Sequence, residues 1–289
     1  MPMPPLCLVA PADAAYPVSL EQLYAPPERL SYKGDLACLK APCLSVIGSR
    51  KMTDYGEHVL RLFVPTLVRA GLTLVSGLAY GVDSFCHRLA VEAGGRCAAV
   101  LGNGLNSIYP PSHAGLAEDI IETGGCLLSE FEPDEPPLPH HFLQRNRIVA
   151  GLSKITLIVE ASERSGTFST ARQALEAGRD VCVVPGDITR EQSAGVLRLL
   201  KEGALPVTSA ADVLELYGID PKNAILGSHK PILTGEAASL YDLISSDGIS
   251  LDALERRSGL GIANLQSVLS ALELEGHIYS KANQWHKIL

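Results

Sequence analysis

The sequence predicts a doubly wound α/β domain with a mostly parallel sheet, followed by a small winged-helix domain. From Leu44 to about Gly218, apolar strand-like runs alternate with helical patterns, which is typical of a parallel sheet covered by helices on both faces. Four of the apolar runs end in short turns of glycine and small polar residues where a helical pattern begins. Beyond residue 234, three short helical patterns and two strand-like runs indicate the winged-helix arrangement.

The alternating region begins with the apolar run Leu44–Ile47, and Asp54 is a suitable N-cap for the helix that follows. Gly71 marks the end of that helix. The later patterns predict, in chain order, strand 72–76, helix 82–93, strand 97–101, helix 112–123, strand 126–129, helix 141–150, strand 155–159, helix 167–177, strand 180–184 and helices near 194–203 and 209–217. Residues 1–40 are rich in proline, and we expect them to be irregular apart from a short helix-like piece around Leu20.

These patterns divide the chain into segments 1–40, 41–218, 219–234 and 235–289, and segment 219–234 is predicted to be a linker. In the last segment we expect helices 236–245, 250–257 and 262–276 and a wing formed by 277–280 and 284–288. The third of these helices contains neither lysine nor arginine, and residues 230–289 hold five basic against seven acidic residues. Because a helix that reads a DNA groove needs hydrogen-bond donors, we expect this domain to serve protein interaction or dimer support.

The composition is that of a globular protein. Hydrophobic residues make up 46% of the chain, and no apolar stretch reaches the ~18 residues that would span a bilayer. The N-terminal residues lack the basic start and the long apolar run of a secretory signal. The seven cysteines are odd in number and include no Cys-x-x-Cys pair, so we expect reduced thiols. We therefore predict a cytoplasmic protein that does not contact a membrane and holds no metal or cofactor.

The turns after the apolar runs predict a binding site for an anion. In a doubly wound sheet such turns open on the carboxyl edge, where helix N-termini and backbone N–H groups surround one crevice. The turns are Gly48-Ser49-Arg50, Ser76–Gly81, Gly102-Asn103-Gly104 and Ser165-Gly166-Thr167. Positive charge is concentrated near them at Arg50, Lys51, Arg145, Arg147, Arg164 and Arg172. Since the net charge of the whole chain is −8, a polyanion would have to be held in a local groove.

The run from Phe142 to Arg147 is the most informative of the candidate segments. Arg145 and Arg147 project about 200° apart on a helix, so we expect one to contact the ligand and the other to tie the helix to the sheet. We interpret Phe142 as a core residue in preference to a stacking surface for a base. Asp83 and Thr167 are assigned structural roles at helix N-termini.

The residues favour binding over catalysis. The turn Ser76–Gly81 differs from the Gly-x-Gly-x-x-Gly fingerprint, and Leu101-Gly102 stands where an acidic residue would hold a ribose, which disfavours a nicotinamide cofactor. The sequence shows no nucleophile elbow, Walker lysine or paired carboxylates. We therefore predict that the protein is not an enzyme.

Together these motifs resemble the DNA processing protein A (DprA/Smf) family. The likeness spans roughly Tyr16 to Val213. It rests on GSR (48–50), SGLAYGVD (76–83), GNGLNSIYP (102–110), SE (129–130), FLQRNR (142–147) and VEASERSGTFSTARQALEAGRDVCVVPGD (159–187). The resemblance implies a Rossmann-like domain that binds single-stranded DNA, forms a homodimer and helps to load the RecA recombinase onto incoming DNA. It also implies roles in natural transformation and in protecting imported strands.

Applied to this sequence, the resemblance implies that Gly48, Ser49 and Arg50 cradle a backbone phosphate. The pocket would be completed by Gly77, by the run Arg145-Asn146-Arg147 and by the helix start Ser165-Gly166-Thr167, with Lys51 adding positive charge. Leu197 departs from the family, which usually has an asparagine there, and this weakens any functional interpretation of its segment.

Two other classes of function stay open. A nucleotide-sensing or phosphoribohydrolase-like protein would also have a glycine-rich pocket, but such enzymes resemble a Pro-Gly-Gly-x-Gly-Thr-x-x-Glu pattern whose glutamate is catalytic. Here Thr170 stands where that glutamate would be, which favours binding over hydrolysis. A scaffold that acts only through protein partners is the third possibility.

Overall fold

A computed structural model describes residues 3–163, 165–221, 235–245, 248–274, 277–281 and 284–287. Contacts divide the chain into two units, Met1–Ile225 and Leu226–Leu289. Most of the predicted linker 219–234, together with Arg164, lies outside the described residues.

The first unit is built on one sheet of nine strands in the order β1-β2-β6-β5-β4-β3-β7-β8-β9. Its strands are β1 (Cys7–Val9), β2 (Leu30–Gly34), β3 (Cys43–Ile47), β4 (Thr73–Ser76), β5 (Cys97–Val100), β6 (Cys126–Ser129), β7 (Ile155–Ile158), β8 (Asp180–Val183) and β9 (Leu205–Pro206). Pairing is parallel from β6 through to β9 and antiparallel only where β1 and β2 are added at one edge. This confirms the predicted doubly wound, mostly parallel sheet.

Helices cover both faces of this sheet. They are α1 (Asp54–Arg69), α2 (Val82–Glu92), α3 (Ala114–Glu122), α4 (Pro139–Leu152), α5 (Thr167–Glu176), α6 (Glu191–Lys201) and α7 (Ala210–Leu216), with short 3-10 helices at Val18–Gln22, Leu36–Lys40 and Pro111–His113. Alternate residues of β3 supply the two cores: Leu44 and Val46 pack with α1, α2, α3 and α7, whereas Cys43 and Ile47 pack with α4, α5 and α6.

The N-terminal segment differs from the irregular chain expected for residues 1–40. Its strand β2 pairs with β6, with Gly34 opposite Cys126, and β1 pairs with β2. Leu20 and Leu30 are fully buried, and the Tyr16 hydroxyl donates to the Pro27 carbonyl at 2.8 Å. The segment therefore satisfies the outer hydrogen-bonding edge of β6 and completes one of the two cores.

Some helix boundaries also differ from the prediction. Thr53, not Asp54, is the N-cap of α1, and its hydroxyl accepts from the Tyr55 N–H at 3.2 Å. Helix α4 begins at Pro139, two residues before the predicted start, because proline suits the first turn of a helix.

The second unit has the predicted winged-helix elements. Its helices are α8 (Gly235–Leu243), α9 (Leu251–Ser258) and α10 (Ile262–Leu274), and its strands are β10 (Ile249–Ser250), β11 (Ile278–Lys281) and β12 (Gln284–Lys287). The strands pair antiparallel in the order β10-β12-β11, so the wing has one strand more than expected. An apolar core, which includes Leu254, Leu265 and Leu269, lies under the helices.

All seven cysteines lie within the described residues and are free thiols, and six of them are buried. Across the part of the chain that the structure describes, no helix combines the length and apolar character needed to cross a bilayer.

Candidate functional site

A cleft of about 480 Å³ opens at the carboxyl edge of the sheet. Predicted site residues that line it are Ser49, Arg50, Lys51, Gly77, Arg145, Asn146, Ser165, Gly166 and Thr167. Gly48 lies just behind this lining, and Arg147 does not reach it. Most of the sequence motifs therefore converge in one place, whereas Arg147 and the predicted turn Gly102-Asn103-Gly104 contribute no residue to the lining.

The strand order explains the position of the cleft. The order reverses between β3 and β7, which are parallel neighbours with Ile47 opposite Ile158. In open α/β sheets, ligands bind at such a reversal, because the turns after the two strands diverge and leave a crevice. The turn after β3 supplies residues 48–51, and the chain after β7 leads to Ser165 and α5.

Gly48 has a packing reason to be glycine. A Cβ atom at this position would lie 2.6 Å from a Val82 methyl group and 3.0 Å from the Glu160 carbonyl oxygen. Gly48 therefore lets the end of β3, the first turn of α2 and the end of β7 approach one another.

Ser49, Arg50 and Lys51 form one wall of the cleft. The Ser49 hydroxyl is buried and accepts from the Lys51 N–H at 3.0 Å, which fixes the turn. The side chains of Arg50 and Lys51 are exposed. The Arg50 guanidinium carbon lies 5.5 Å from the centre of the Phe142 ring, so this cation is held over an aromatic face at the cleft.

Gly77 belongs to the floor of the cleft, and both of its backbone polar groups have partners. Its N–H donates to Asp83 Oδ2 at 3.1 Å, and its carbonyl accepts from Arg145 Nη1 at 2.8 Å. A Cβ atom at Gly77 would lie 2.5 Å from Arg145 Nη2. The space left by the missing side chain of Gly77 is therefore filled by the guanidinium group of Arg145.

Arg145 is a buried cation in the floor of the cleft, with 4% of its surface exposed. Its Nη1 donates to the carbonyls of Gly77 and Val100, whereas its Nε has no hydrogen-bond partner among the residues that the structure describes. Burial lowers the pKa of Arg145 to about 10, against the opposing effect of Asp83. Arg145 therefore stays protonated at neutral pH and supplies a fixed positive charge.

Asp83 lies in the first turn of α2, as predicted, but its carboxyl group holds the turn after β4 and does not cap the helix. The carboxyl group is 8% exposed and accepts from the Gly77 N–H. Burial raises the pKa of Asp83, and the positive charge of Arg145 acts in the opposite direction. The two groups thus fix the turn after β4 from both sides.

Arg147, one of the predicted DNA-binding residues, ties α4 to the chain after β6 and does not line the cleft. Its Nη2 donates to Glu130 Oε2, and the two side chains are 17% and 8% exposed. Arg147 lines a separate cavity of about 170 Å³ together with Leu23 and Tyr24. The helical period directs Arg147 and Arg145 to different sides of α4, as expected. Glu130, which follows β6, pairs with Arg147 and holds it away from the cleft.

Ser165, Gly166 and Thr167 form the opposite wall. Gly166, not Thr167, occupies the N-cap position of α5, and Thr167 is the first helical residue. The Ser165 hydroxyl accepts from the Thr167 N–H at 3.2 Å and lies 2.7 Å from the Thr167 hydroxyl. A Cβ at Gly166 would meet no atom within 4 Å, so this helix start is open to a ligand.

The sequence interpretation missed several residues of the lining, among them Phe142, Glu191 and Gln192. Phe142 is only half-buried and lines the cleft, so it is not a core residue. Glu191 and Gln192 reach the cleft from the start of α6, because β8 lies beside β7 and directs the following chain there. The turn Pro185-Gly186-Asp187 at the end of β8 was the available signal.

The site presents cations and hydroxyl groups on three sides. Within the described ranges, no group of three or more histidine, cysteine, aspartate or glutamate side chains is arranged to hold a metal ion. The fold and the cleft thus define a doubly wound α/β protein with a cationic pocket at the strand-order reversal.

Comparisons with known proteins identify the family. Residues 7–218 match the family model described as DNA recombination-mediator protein A, and residues 228–283 match the DprA winged helix domain. The chain therefore belongs to the DNA recombination-mediator protein A (DprA/Smf) family.

Individual relatives agree with this assignment. Protein Smf of Escherichia coli is 40% identical over 276 residues, which cover 93% of this chain and 74% of the relative. The X-ray structure of DNA processing protein A from Streptococcus pneumoniae is 40% identical with a TM-score of 0.69, covering 73% of this chain and 74% of that one. A structure described as giving insights into the unique single-stranded DNA binding mode of DNA processing protein A from Helicobacter pylori is 28% identical, with a TM-score of 0.67, and covers 74% of this chain and 96% of that one.

Proposed function

We propose that this protein binds single-stranded DNA in the cleft between the turn after β3 and the start of α5. The observation that carries the proposal is the cluster of Arg50, Lys51 and the buried Arg145 around one crevice of an otherwise acidic chain. The likeness to the Helicobacter pylori protein, whose structure is described by its single-stranded DNA binding mode, supports the same ligand here.

The dimensions of the cleft favour a single strand over a duplex. A volume of about 480 Å³ is in the range of pockets that enclose one small molecule, and it suits a nucleotide or two. The cations would neutralise backbone phosphates, while the half-buried ring of Phe142 offers a face to a base. Bases are free to turn into such a cleft only when they are unpaired.

The local arrangement of charge answers the objection raised by the net charge of −8. Screening at physiological ionic strength limits the reach of exposed charges to about 8 Å. Phosphates inside the cleft would therefore interact chiefly with Arg50, Lys51 and Arg145, which outnumber the exposed carboxylate of Glu191 in the lining, and only weakly with acidic groups elsewhere on the surface.

Family membership extends the proposal to partners and cellular role. A recombination mediator delivers a recombinase to DNA, so we assign this chain the loading of RecA onto single strands during DNA uptake, and the protection of those strands. We further propose a cytoplasmic homodimer that binds without catalysis, in which segment 41–218 binds DNA, and 219–234 links it to the winged-helix segment 235–289.

The rival small-nucleotide function has less support from the geometry. Thr170 lines the cleft at the position where a phosphoribohydrolase-like enzyme would have its glutamate, and its hydroxyl cannot replace a carboxylate as a general base. Release of a free base from nucleoside monophosphates by the purified protein would favour that rival.

The test is a titration with single-stranded oligonucleotides at several salt concentrations. Each phosphate that is neutralised contributes about 0.7 to the slope of log affinity against log salt. Arg50→Ala is expected to weaken binding to all sequences alike and to reduce the slope by about that amount. Arg88→Ala, which removes an exposed arginine of α2 outside the cleft, is the matched control and is expected to change neither value. Unchanged affinity and slope in Arg50→Ala would refute the assignment of the cleft.

A further inference from the structure

Two exposed tyrosines lie on turns at the same edge of the sheet as the cleft, but outside its lining. Tyr80 belongs to the turn after β4 and is 52% exposed, and Tyr109 follows β5 and is 43% exposed. A single exposed tyrosine needs no special explanation. Two exposed tyrosines on neighbouring strand-to-helix turns beside a cationic cleft, however, form an aromatic surface that could bind part of a ligand.

Tyr109 continues the aromatic surface that begins inside the cleft. The Arg50 guanidinium lies 5.5 Å from the centre of the Phe142 ring, and the ring centres of Phe142 and Tyr109 are 5.7 Å apart. Phe142 and Arg50 line the cleft, whereas Tyr109 lies outside it. The row of Arg50, Phe142 and Tyr109 therefore leads out of the cleft.

Tyr80 is held rigidly although half of its surface is exposed. Its hydroxyl lies 3.2 Å from the Ser112 hydroxyl, and its ring packs edge-on against His113 at 4.9 Å between ring centres. The Nδ1 atom of His113 is in turn 2.8 Å from the Leu78 carbonyl oxygen. Ser112 and His113 follow Tyr109 within the same short segment, so both tyrosines are attached to one element.

Rigid, exposed aromatic rings suit the stacking of nucleobases. A fixed ring loses little conformational entropy when it binds, and every base has a face that can stack on it. A ring of this kind is tolerant of base identity, which matches a cleft that contacts the backbone through cations.

We propose that Tyr109 and Tyr80 form a second binding subsite, in which bases of the same single strand stack after the strand leaves the cleft. The inference rests on the proposed binding of single-stranded DNA in the cleft. Its ligand is any nucleobase of a strand long enough to pass beyond Phe142. The subsite adds affinity without adding phosphate contacts.

The experiment compares a thymidine dinucleotide, which fills the cleft alone, with an oligothymidylate of ~16 nucleotides, which reaches beyond it. The double variant Tyr80→Ala/Tyr109→Ala is expected to weaken the longer strand about 5- to 150-fold for each base that loses its ring, and to leave the shorter strand unchanged. Its salt slope should equal that of the unaltered protein, because no charge is removed. The double variant Tyr80→Phe/Tyr109→Phe keeps the rings and should keep the affinity. Tyr24→Ala, at a fully exposed tyrosine of the N-terminal segment, is the matched control.

The outcomes separate this inference from the proposed function. If the unaltered protein binds both strands and the alanine variant binds each strand with the same affinity, the second subsite is refuted. The proposed binding of DNA in the cleft is then unaffected. Equal weakening of both lengths would also refute it, since the rings would then support the cleft itself. A change in salt slope, or loss of affinity in the phenylalanine variant, would contradict stacking in the same way. Failure of the unaltered protein to bind either strand would overturn both proposals.

Discussion

The cleft and helix α10 occupy positions that their folds commonly use for nucleic acid, but their side chains differ. The cleft is lined by Arg50, Lys51 and Arg145, with Arg145 buried in its floor. Helix α10 presents exposed neutral side chains such as Asn264, Gln266 and Ser270, and it contains no lysine or arginine. A winged-helix arrangement therefore supplies a shape, whereas affinity for a polyanion depends on the hydrogen-bond donors and cations that this shape carries.

The interiors of the two units also differ in polarity: the first unit buries ionisable side chains and the second, among its described residues, does not. The first unit contains buried ionisable groups: Asp83 and Arg145 line the cleft, and His87 lies within α2. The core of the second unit, as far as the structure describes it, is made of leucine and isoleucine side chains. Burying a charged group costs free energy of desolvation, and such groups are concentrated at functional sites. Asp83 and Arg145 therefore favour the cleft as the functional region of the chain.

Replacing Arg145 should have the largest effect, because it removes the feature that most distinguishes the cleft from α10. In Arg145→Met, the carbonyls of Gly77 and Val100 lose their donor and Asp83 loses its neighbouring cation. Leaving each of these buried carbonyls without its donor costs about 1–3 kcal/mol of unfolding free energy. Urea unfolding should show that loss, and single-stranded DNA binding by the folded variant should fall below that of Arg50→Ala.

Arg147→Met is the matched control on the same helix. It breaks the partly buried pair with Glu130 and should lower the unfolding free energy, but it removes nothing from the cleft. DNA affinity and salt slope of the folded variant should match the unaltered protein. A reduced slope would return Arg147 to the binding surface and contradict the separation of the two arginines described above.

The two arginines also show how far the sequence could predict the site. The strand-and-turn pattern was enough to bring Ser49, Gly77 and Ser165 to one edge, because parallel strands present all their carboxyl ends together. The helical period predicted that Arg145 and Arg147 diverge. It could not predict which one enters the cleft, since that depends on Glu130, a partner 17 residues away.

Long-range pairing explains the other misses. Strands β1 and β2 have no local signal in a proline-rich segment, and they form because β6, more than 90 residues later, has a free edge. Gln192 and Glu191 reach the cleft only because β8 lies next to β7 in the sheet. Periodicity within a segment carries no information about such neighbours.

His87 allows the contrast between the two interiors to be tested by pH. The side chain is fully buried, neither ring nitrogen makes a hydrogen bond of good geometry within the described residues, and the Ser76 backbone beside the ring only partly opposes the effect of burial on its pKa. Burial lowers the pKa of His87 to about 3, well below the ordinary histidine value of 6.5. Between these two values the unfolded chain binds a proton that the folded chain does not, so stability falls as the pH falls, by up to ~1.4 kcal/mol per pH unit.

The variant His87→Leu should lack this part of the pH dependence and should be at least as stable as the unaltered protein at pH 7, because a buried polar group without a good hydrogen bond is removed. Urea unfolding followed by circular dichroism from pH 7 to pH 4 measures the difference. Fluorescence of Trp285, the one tryptophan of the chain, reports on the second unit and should show no difference between the two proteins. Parallel pH profiles in circular dichroism would mean that His87 is protonated or solvated in the folded state.

The smallest expected effect tests the second unit directly. Arg256 and Arg257 are exposed basic residues in the last turn of α9, and α10 beside them offers no cationic donor. Because an interface without phosphate contacts releases no counterions, Arg256→Ala/Arg257→Ala in the full chain should change the affinity for single-stranded or duplex DNA by less than about 2-fold and leave the salt slope unaltered. Arg50→Ala, titrated in the same assay, provides the reference changes in affinity and salt slope for the loss of one phosphate contact. A loss of about 10-fold in the double variant, with a shallower slope, would make the second unit a DNA-binding surface and remove the contrast between α10 and the cleft.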